Sequence, residues 1–157
     1  MLRPRIIPCL LVHKGGLVKT VGFKAPKYVG DPINAVKIFN EKEADELVVL
    51  DIDATVNNAE PDYRMIANLA AECRMPLCYG GGINNLNQAK RIISLGVEKV
   101  AISSAAVEHP ELISQIADGI GRQSVVVVLD VKKRMFNKGY DVLIKNAHTN
   151  TKRSVFE

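Results

Sequence analysis

The chain has no tryptophan, and aromatic residues fill only 5% of its 157 positions. Nucleic acids are commonly held on aromatic platforms beside clustered cations, whereas the lysines and arginines behind this net charge of +4 and pI near 9.0 are spread along the chain. A nucleic-acid partner therefore has little support, and a basic pocket for phosphorylated metabolites fits at least as well. Also missing is any apolar run near the roughly 20 residues a membrane span needs. The start, MLRPRIIPCLLVHKGG, lacks an adequate signal-peptide core. A cytoplasmic protein with no membrane contact is expected. Cysteines number three, Cys9, Cys73 and Cys78, with no CxxC or Cys/His ligand spacing. That suggests neither a disulfide framework nor a zinc site and leaves buried reduced thiols as the expectation; no metal and no other cofactor are expected.

What is present is a regular alternation. Five segments are almost continuously apolar: Arg5 to Val12, Glu46 to Ile52, Pro76 to Tyr79, Lys99 to Ser103 and Ser124 to Asp130. Runs without polar alternation suit strands buried on both faces. Between them lie helical periodicities. Asp31-Pro32 supplies a capping carboxylate and a first-turn proline before Ile33, Val36 and Phe39. Ile66, Leu69, Ala70 and Cys73 share a face after Pro61. Leu86, Ala89, Ile92 and Ile93 follow Asn84-Asn85 and stop at Gly96, and Leu112, Ile113, Ile116 and Ile120 follow His109-Pro110. The order βαβαβαβαβ demands a parallel sheet with right-handed crossovers.

Two α/β architectures fit. Four βα units plus a fifth strand make about half of a (β/α)8 TIM barrel, whose usual length is about 250 residues; a doubly wound five-stranded sheet is the rival. A single partial-barrel domain over 1–157 is expected, with a tail over 131–157 holding turns and one hairpin around Met135 to Lys145. The pattern stops where a further helix would begin.

In either architecture ligands meet the carboxyl ends of the strands. That rule gathers His13 to Lys19, Asp51 and Asp53, Gly80 to Gly82, Ser103 and Ser104, and Asp130. Gly81 and Gly82 let main-chain amides approach an anion, with Ser103 and Ser104 as neighbouring donors; the alternative is a tight turn. The stretch matches neither GxGxxG nor a nucleotide P-loop. Asp130, after four valines, is a candidate acid or base or else a structural strand-end carboxylate. Asp51 and Asp53, two apart on one strand, are expected on the same side, with Asp51 supporting the pocket. Lys19 lies in KGGLVKTVGFKAPKYVG, read as a mobile lid loop over a phosphorylated ligand or a merely solvated loop. Arg5, Glu46 and Lys99 stand at strand starts, where they suggest an ion-pair ring on the floor or simple surface salt bridges.

The stretches RIIPCL, GDPINAVKIFNEKEADELVVLDIDA, YGGGI, KVAISSAAVEHPELI and QSVVVVLD together resemble the cyclase subunit of imidazole glycerol phosphate synthase, the HisF family, from about Arg3 to Lys133. The resemblance implies a barrel that takes glutamine-derived ammonia from a HisH-like glutaminase partner. It implies a lyase and cyclase reaction, in histidine biosynthesis, on a bis-phosphorylated ribulosyl aminoimidazole-carboxamide nucleotide. Carried over by position, Asp130 matches one catalytic aspartate and Lys19 the loop lysine. Gly82, Ser103 and Ser104 match the first phosphate site, and Arg5, Glu46 and Lys99 match three members of the charged ammonia gate. The other catalytic aspartate falls on Leu11, which cannot transfer a proton and argues against independent activity. Leu11 with KTVGFKAPKYVGDPINA resembles a HisF-like branch of surface-polysaccharide gene clusters, where the barrel is thought to pass ammonia to an enzyme making acetamidino sugars. The family's second half, with its second phosphate site, is absent from this sequence.

Three functions follow: an enzyme subunit, a non-catalytic ammonia conduit and scaffold, or an inactive truncated half-barrel. A half-barrel would leave strands one and five with open edges, so self-association is expected.

Overall fold

A computed structural model describes residues 3–22, 24–134 and 139–156. The chain opens with strands β1 (Cys9–His13), β2 (Gly16–Val21) and β3 (Lys24–Gly30). It continues through α1 (Pro32–Glu41), β4 (Leu47–Asp51), α2 (Tyr63–Glu72), β5 (Leu77–Gly80), α3 (Leu86–Ser94) and β6 (Lys99–Ile102). Two helices, α4 (Ser104–Glu108) and α5 (Glu111–Ile120), precede β7 (Val125–Val127). The tail forms β8 (Asp130–Lys133), β9 (Tyr140–Ile144) and β10 (Thr149–Ser154).

Strands β1, β4, β5, β6 and β7 pair in parallel and in chain order, with no reversal between neighbours. A doubly wound sheet requires such a reversal and helices on both faces. Here residues of α1, α2, α3 and α5 join one core against one face of the sheet. The fold is therefore an open arc of a TIM barrel, with Leu47, Val49, Tyr79, Val100 and Ile102 turned toward the helices and almost fully buried. Intervening positions Leu11, Leu50, Gly80 and Ala101 face the concave side.

Local chemistry sets the helix starts. The Asp31 carboxylate accepts the Asn34 amide at 3.0 Å, with Pro32 as the first helical residue. Asn85 does the same for Gln88 at 2.9 Å, and Asp62, the residue after Pro61, caps α2 through Met65 at 2.9 Å. Each such cap stabilises a helix by about 1 kcal/mol.

Several expectations need correction. The stretch read as a mobile loop around Lys19 is the β2–β3 hairpin, although Phe23 within it lies outside the described residues. Lys14 and Gly15, both at positive φ, make the two-residue turn that folds β2 back on β1. That pairing also covers the β1 edge expected to be open; the outer strands of the sheet are β3 and β7. Strand one begins at Cys9, four residues later than expected, because Pro8 interrupts the run. The helix expected after His109-Pro110 is α5, and a further short helix, α4, precedes it. The segment Ser124 to Asp130 is not one strand: after Val128 donates to the Ile102 carbonyl, the chain leaves β6 and Asp130 begins a separate antiparallel sheet. The tail has two hairpins, β8–β9 and β9–β10, and Met135 of the expected hairpin lies outside the described residues.

Candidate functional site

The carboxyl ends of the parallel strands border a cavity of about 360 Å³. Its walls include Leu11 and Leu50, the glycines Gly80, Gly81 and Gly82, Ser103 and Ser104, and Asp51 and Asp130. Of the residues the sequence placed at this end, Asp51, Gly80, Gly81, Gly82, Ser103, Ser104 and Asp130 line the cavity, whereas the segment from His13 to Lys19 and Asp53 do not, and the Lys19 side chain is exposed on β2. The hairpin sends Thr20 and Gly22 to the cavity instead, because successive strand residues alternate in direction.

The glycine turn is packed against its neighbours. The Gly82 amide donates to Thr55 Oγ1 at 3.3 Å, so an anion there would share that amide with a hydroxyl able to donate in turn. Ser104 is buried, and its Oγ accepts the Lys145 amide at 3.0 Å, leaving its hydroxyl hydrogen available. Thr55, Lys145 and Asn146 are cavity residues that sequence reasoning missed. The first sits in a turn without motif, and the others arrive from a distant hairpin, Lys145 reaching Ser104 41 positions away and Asn146 reaching Ile52 94 positions away.

The carboxylates divide the work. Asp51 Oδ1 accepts the amides of Asp53 at 2.9 Å and Ala54 at 3.2 Å, organising the turn after β4. Burial raises its pKa, and those two amides only partly offset the effect. Asp53 does not share that side. It lies in the turn beyond the strand, 2.7 Å from His13 Nδ1 and 2.7 Å from the Lys14 amide, tying the end of β1 to that turn. Asp130 is half-buried, and desolvation pushes its carboxyl above the usual range.

A raised carboxyl pKa has a definite sign for stability. Asp130 costs nothing while protonated in both folded and unfolded chains, and stability is lost as pH rises through its folded pKa. Asp130→Asn should therefore melt higher than the native chain at pH 7 and equally near pH 3. Thermal denaturation at both pH values checks this, and an unchanged difference between them would overturn it.

At the opposite ends of the strands, Glu46 is 4% exposed. Its Oε1 lies 2.6 Å from Lys99 Nζ and its Oε2 3.2 Å from Arg5 Nη1. The three charges read from the strand starts are in contact. The Lys99 pair is the more sheltered, while the Arg5 side chain is 62% exposed and adds little to stability.

The thiols are held as thiols. Burial, with the Glu46 charge adding to it, pushes Cys78 up to about 12, and burial also raises Cys9 and Cys73. Cys9 is nevertheless exposed, against the expectation that all three are buried. Among the described residues no group of three His, Cys, Asp or Glu side chains could hold a metal ion. No helix among them is long and apolar enough to cross a membrane.

A family model described as histidine biosynthesis protein matches residues 5–157. The chain is 62% identical over 146 residues to a candidate imidazole glycerol phosphate synthase subunit, hisF3, of Vibrio vulnificus, covering 93% of this chain and 56% of that protein. Identity to a candidate subunit hisF2 of Pseudomonas aeruginosa is 57% over 157 residues, covering 100% and 62% respectively. The imidazole glycerol phosphate synthase subunit HisF of Lactococcus lactis subsp. lactis is 45% identical over 150 residues, with coverage of 96% and 58%. The chain thus spans between 56% and 62% of the length of these relatives.

Proposed function

Since the chain belongs to the histidine biosynthesis protein family, we propose that it forms the amino-terminal part of a HisF-type subunit that receives ammonia from a glutaminase and holds one phosphate of the acceptor. The phosphate would lie against Gly81, Gly82, Ser103 and Ser104, with Asp130 as the single acid or base. Ammonia would enter past Arg5, Glu46 and Lys99. The observation that carries this reading is one cavity lined by the glycine turn, both serines and Asp130, with an ion-pair cluster at the other end of the same strands. Ribosyl-type phosphorylated substrates fit such a site, and the printed name of the relatives, imidazole glycerol phosphate synthase subunit, fits a reaction on a phosphorylated compound.

Leu11 favours a second reading, in which the protein is an ammonia conduit for a separate acceptor enzyme of polysaccharide amidino-sugar synthesis. One of the two carboxylates the family's reaction uses would be missing, while Arg5, Glu46 and Lys99 remain in contact. Among the described residues no strand pairs with the outer edge of β7, which supports self-association of this chain.

Both readings require a glutaminase. Sedimentation of the chain, extended to the length of its relatives, with a HisH-type glutaminase should give a stable complex that Glu46→Lys weakens. Two independently sedimenting species at micromolar concentrations would overturn both readings.

A further inference from the structure

We propose that Lys145 is an additional phosphate ligand of the cavity, exchanged from Glu108 onto the anion when it binds. The proposal rests on the reading of Gly81, Gly82, Ser103 and Ser104 as a phosphate cradle. Lys145 stands in the turn between β9 and β10 and forms part of the cavity wall. Its amide donates to the Oγ of Ser104, so the lysine backbone is fixed one hydrogen bond from a cradle residue. The turn is pinned from the far side as well, since Asn146 Nδ2 donates to the Ile52 carbonyl at 2.6 Å.

The backbone there is expensive. Lys145, Asn146 and Ala147 adopt φ of 55°, 55° and 60°, left-handed values that cost side-chain-bearing residues energy. Three in succession persist because contacts on both sides of the cavity hold them. Those contacts deliver a cation to the mouth of a site that otherwise offers mainly neutral donors and the carboxyls of Asp51 and Asp130.

The side chain has a weak alternative partner. Lys145 Nζ lies 3.2 Å from Glu108 Oε1, with the two side chains 45% and 39% exposed, a setting in which an ion pair stabilises little. A phosphate dianion hydrogen-bonded to neighbouring groups is the stronger partner for an ammonium. Exchange from carboxylate to phosphate is then favourable, and Glu108 acts as a competitor that weakens binding.

The test is an NMR titration of the full chain with inorganic phosphate at low ionic strength. Loss of one charge-assisted contact in Lys145→Gln should weaken binding by about tenfold, while Lys145→Arg stays within about threefold of native. Glu108→Gln should tighten binding by about twofold to threefold by removing the competitor, and the double variant should match Lys145→Gln. Both positions are half-exposed, and unchanged circular dichroism confirms that the fold is kept. If the native chain shows no saturable shifts at the glycine turn, the cradle fails and the lysine's role with it. Binding that Ser104→Ala weakens and Lys145→Gln leaves unchanged overturns the lysine alone. Weaker binding in Glu108→Gln overturns the exchange.

Discussion

Replacing Leu11 by aspartate, in the chain extended to the length of its relatives, should raise ammonium-driven turnover of the ribulosyl aminoimidazole nucleotide by a factor of about 10² to 10⁴. That is the usual contribution of a positioned acid or base. Leu11 belongs to β1, pairs with Leu50 of β4 and Val18 of β2, and lines the same cavity as Asp130. A carboxylate there would meet apolar neighbours that raise its pKa, as burial already does for Asp130. The new carboxyl would join Asp130 and Asp51 in the cavity lining, and because Asp51 is engaged by the Asp53 and Ala54 amides, it would be the second group placed to take and return protons where the native chain has a hydrocarbon. Leu11→Asn is the control of nearly equal shape, and it should gain nothing because an amide does not exchange a proton at neutral pH. Melting curves accompany both variants, since polar atoms among Leu50 and Val18 cost stability. Ordinary turnover by the leucine form would overturn the conduit reading. A folded aspartate form with no gain would show that Leu11 is not where the second carboxylate is needed.

The helices were largely legible, and the site was legible in part, for reasons that lie in particular residues. Asp31-Pro32 and Asn85 act on amides three positions away, so their effect is local and visible in the sequence. The glycine turn, both serines and Asp130 could be gathered from the strand-end rule alone, because parallel topology brings all strand ends to one side. The β2–β3 hairpin was hidden by composition: its glycines, three lysines and Pro26 read as loop. Yet an outer strand such as β3 tolerates proline, since one side of it needs no ladder hydrogen bonds. Nothing in the run SVVVVLD marks the place where the chain departs from β6, because consecutive valines are equally good in either sheet. That break is decided by tertiary pairing, with Asp130 opposite Leu143 on β9. Lys145 and Asn146 were beyond reach for the same reason, their partners being Ser104 and Ile52.

Gly81→Ala should destabilise the chain by about 3 kcal/mol or more, the sum of an unfavourable backbone conformation and overpacking. Gly81 has φ +128°, outside the range alanine adopts comfortably, and an added Cβ would sit 2.5 Å from the Asp51 carbonyl oxygen and 2.8 Å from its Cβ. The obstacle is backbone at the end of β4, which cannot rotate away as a long side chain would. Gly15→Ala is the matched comparison. Its φ is +76°, but nothing lies within 4 Å of the added carbon, so it should lose only about 1 kcal/mol. The difference between the two variants in urea denaturation isolates the close approach of the glycine turn to β4, and equal losses would show that no such approach exists in solution. Run without phosphate, the experiment reports the turn alone. Repeated with phosphate, it reports the cradle, because a ligand bound only by the folded state raises the native chain's stability as its concentration grows. A steric need for bare backbone and an anion-binding role are compatible at Gly81, and only the second depends on phosphate.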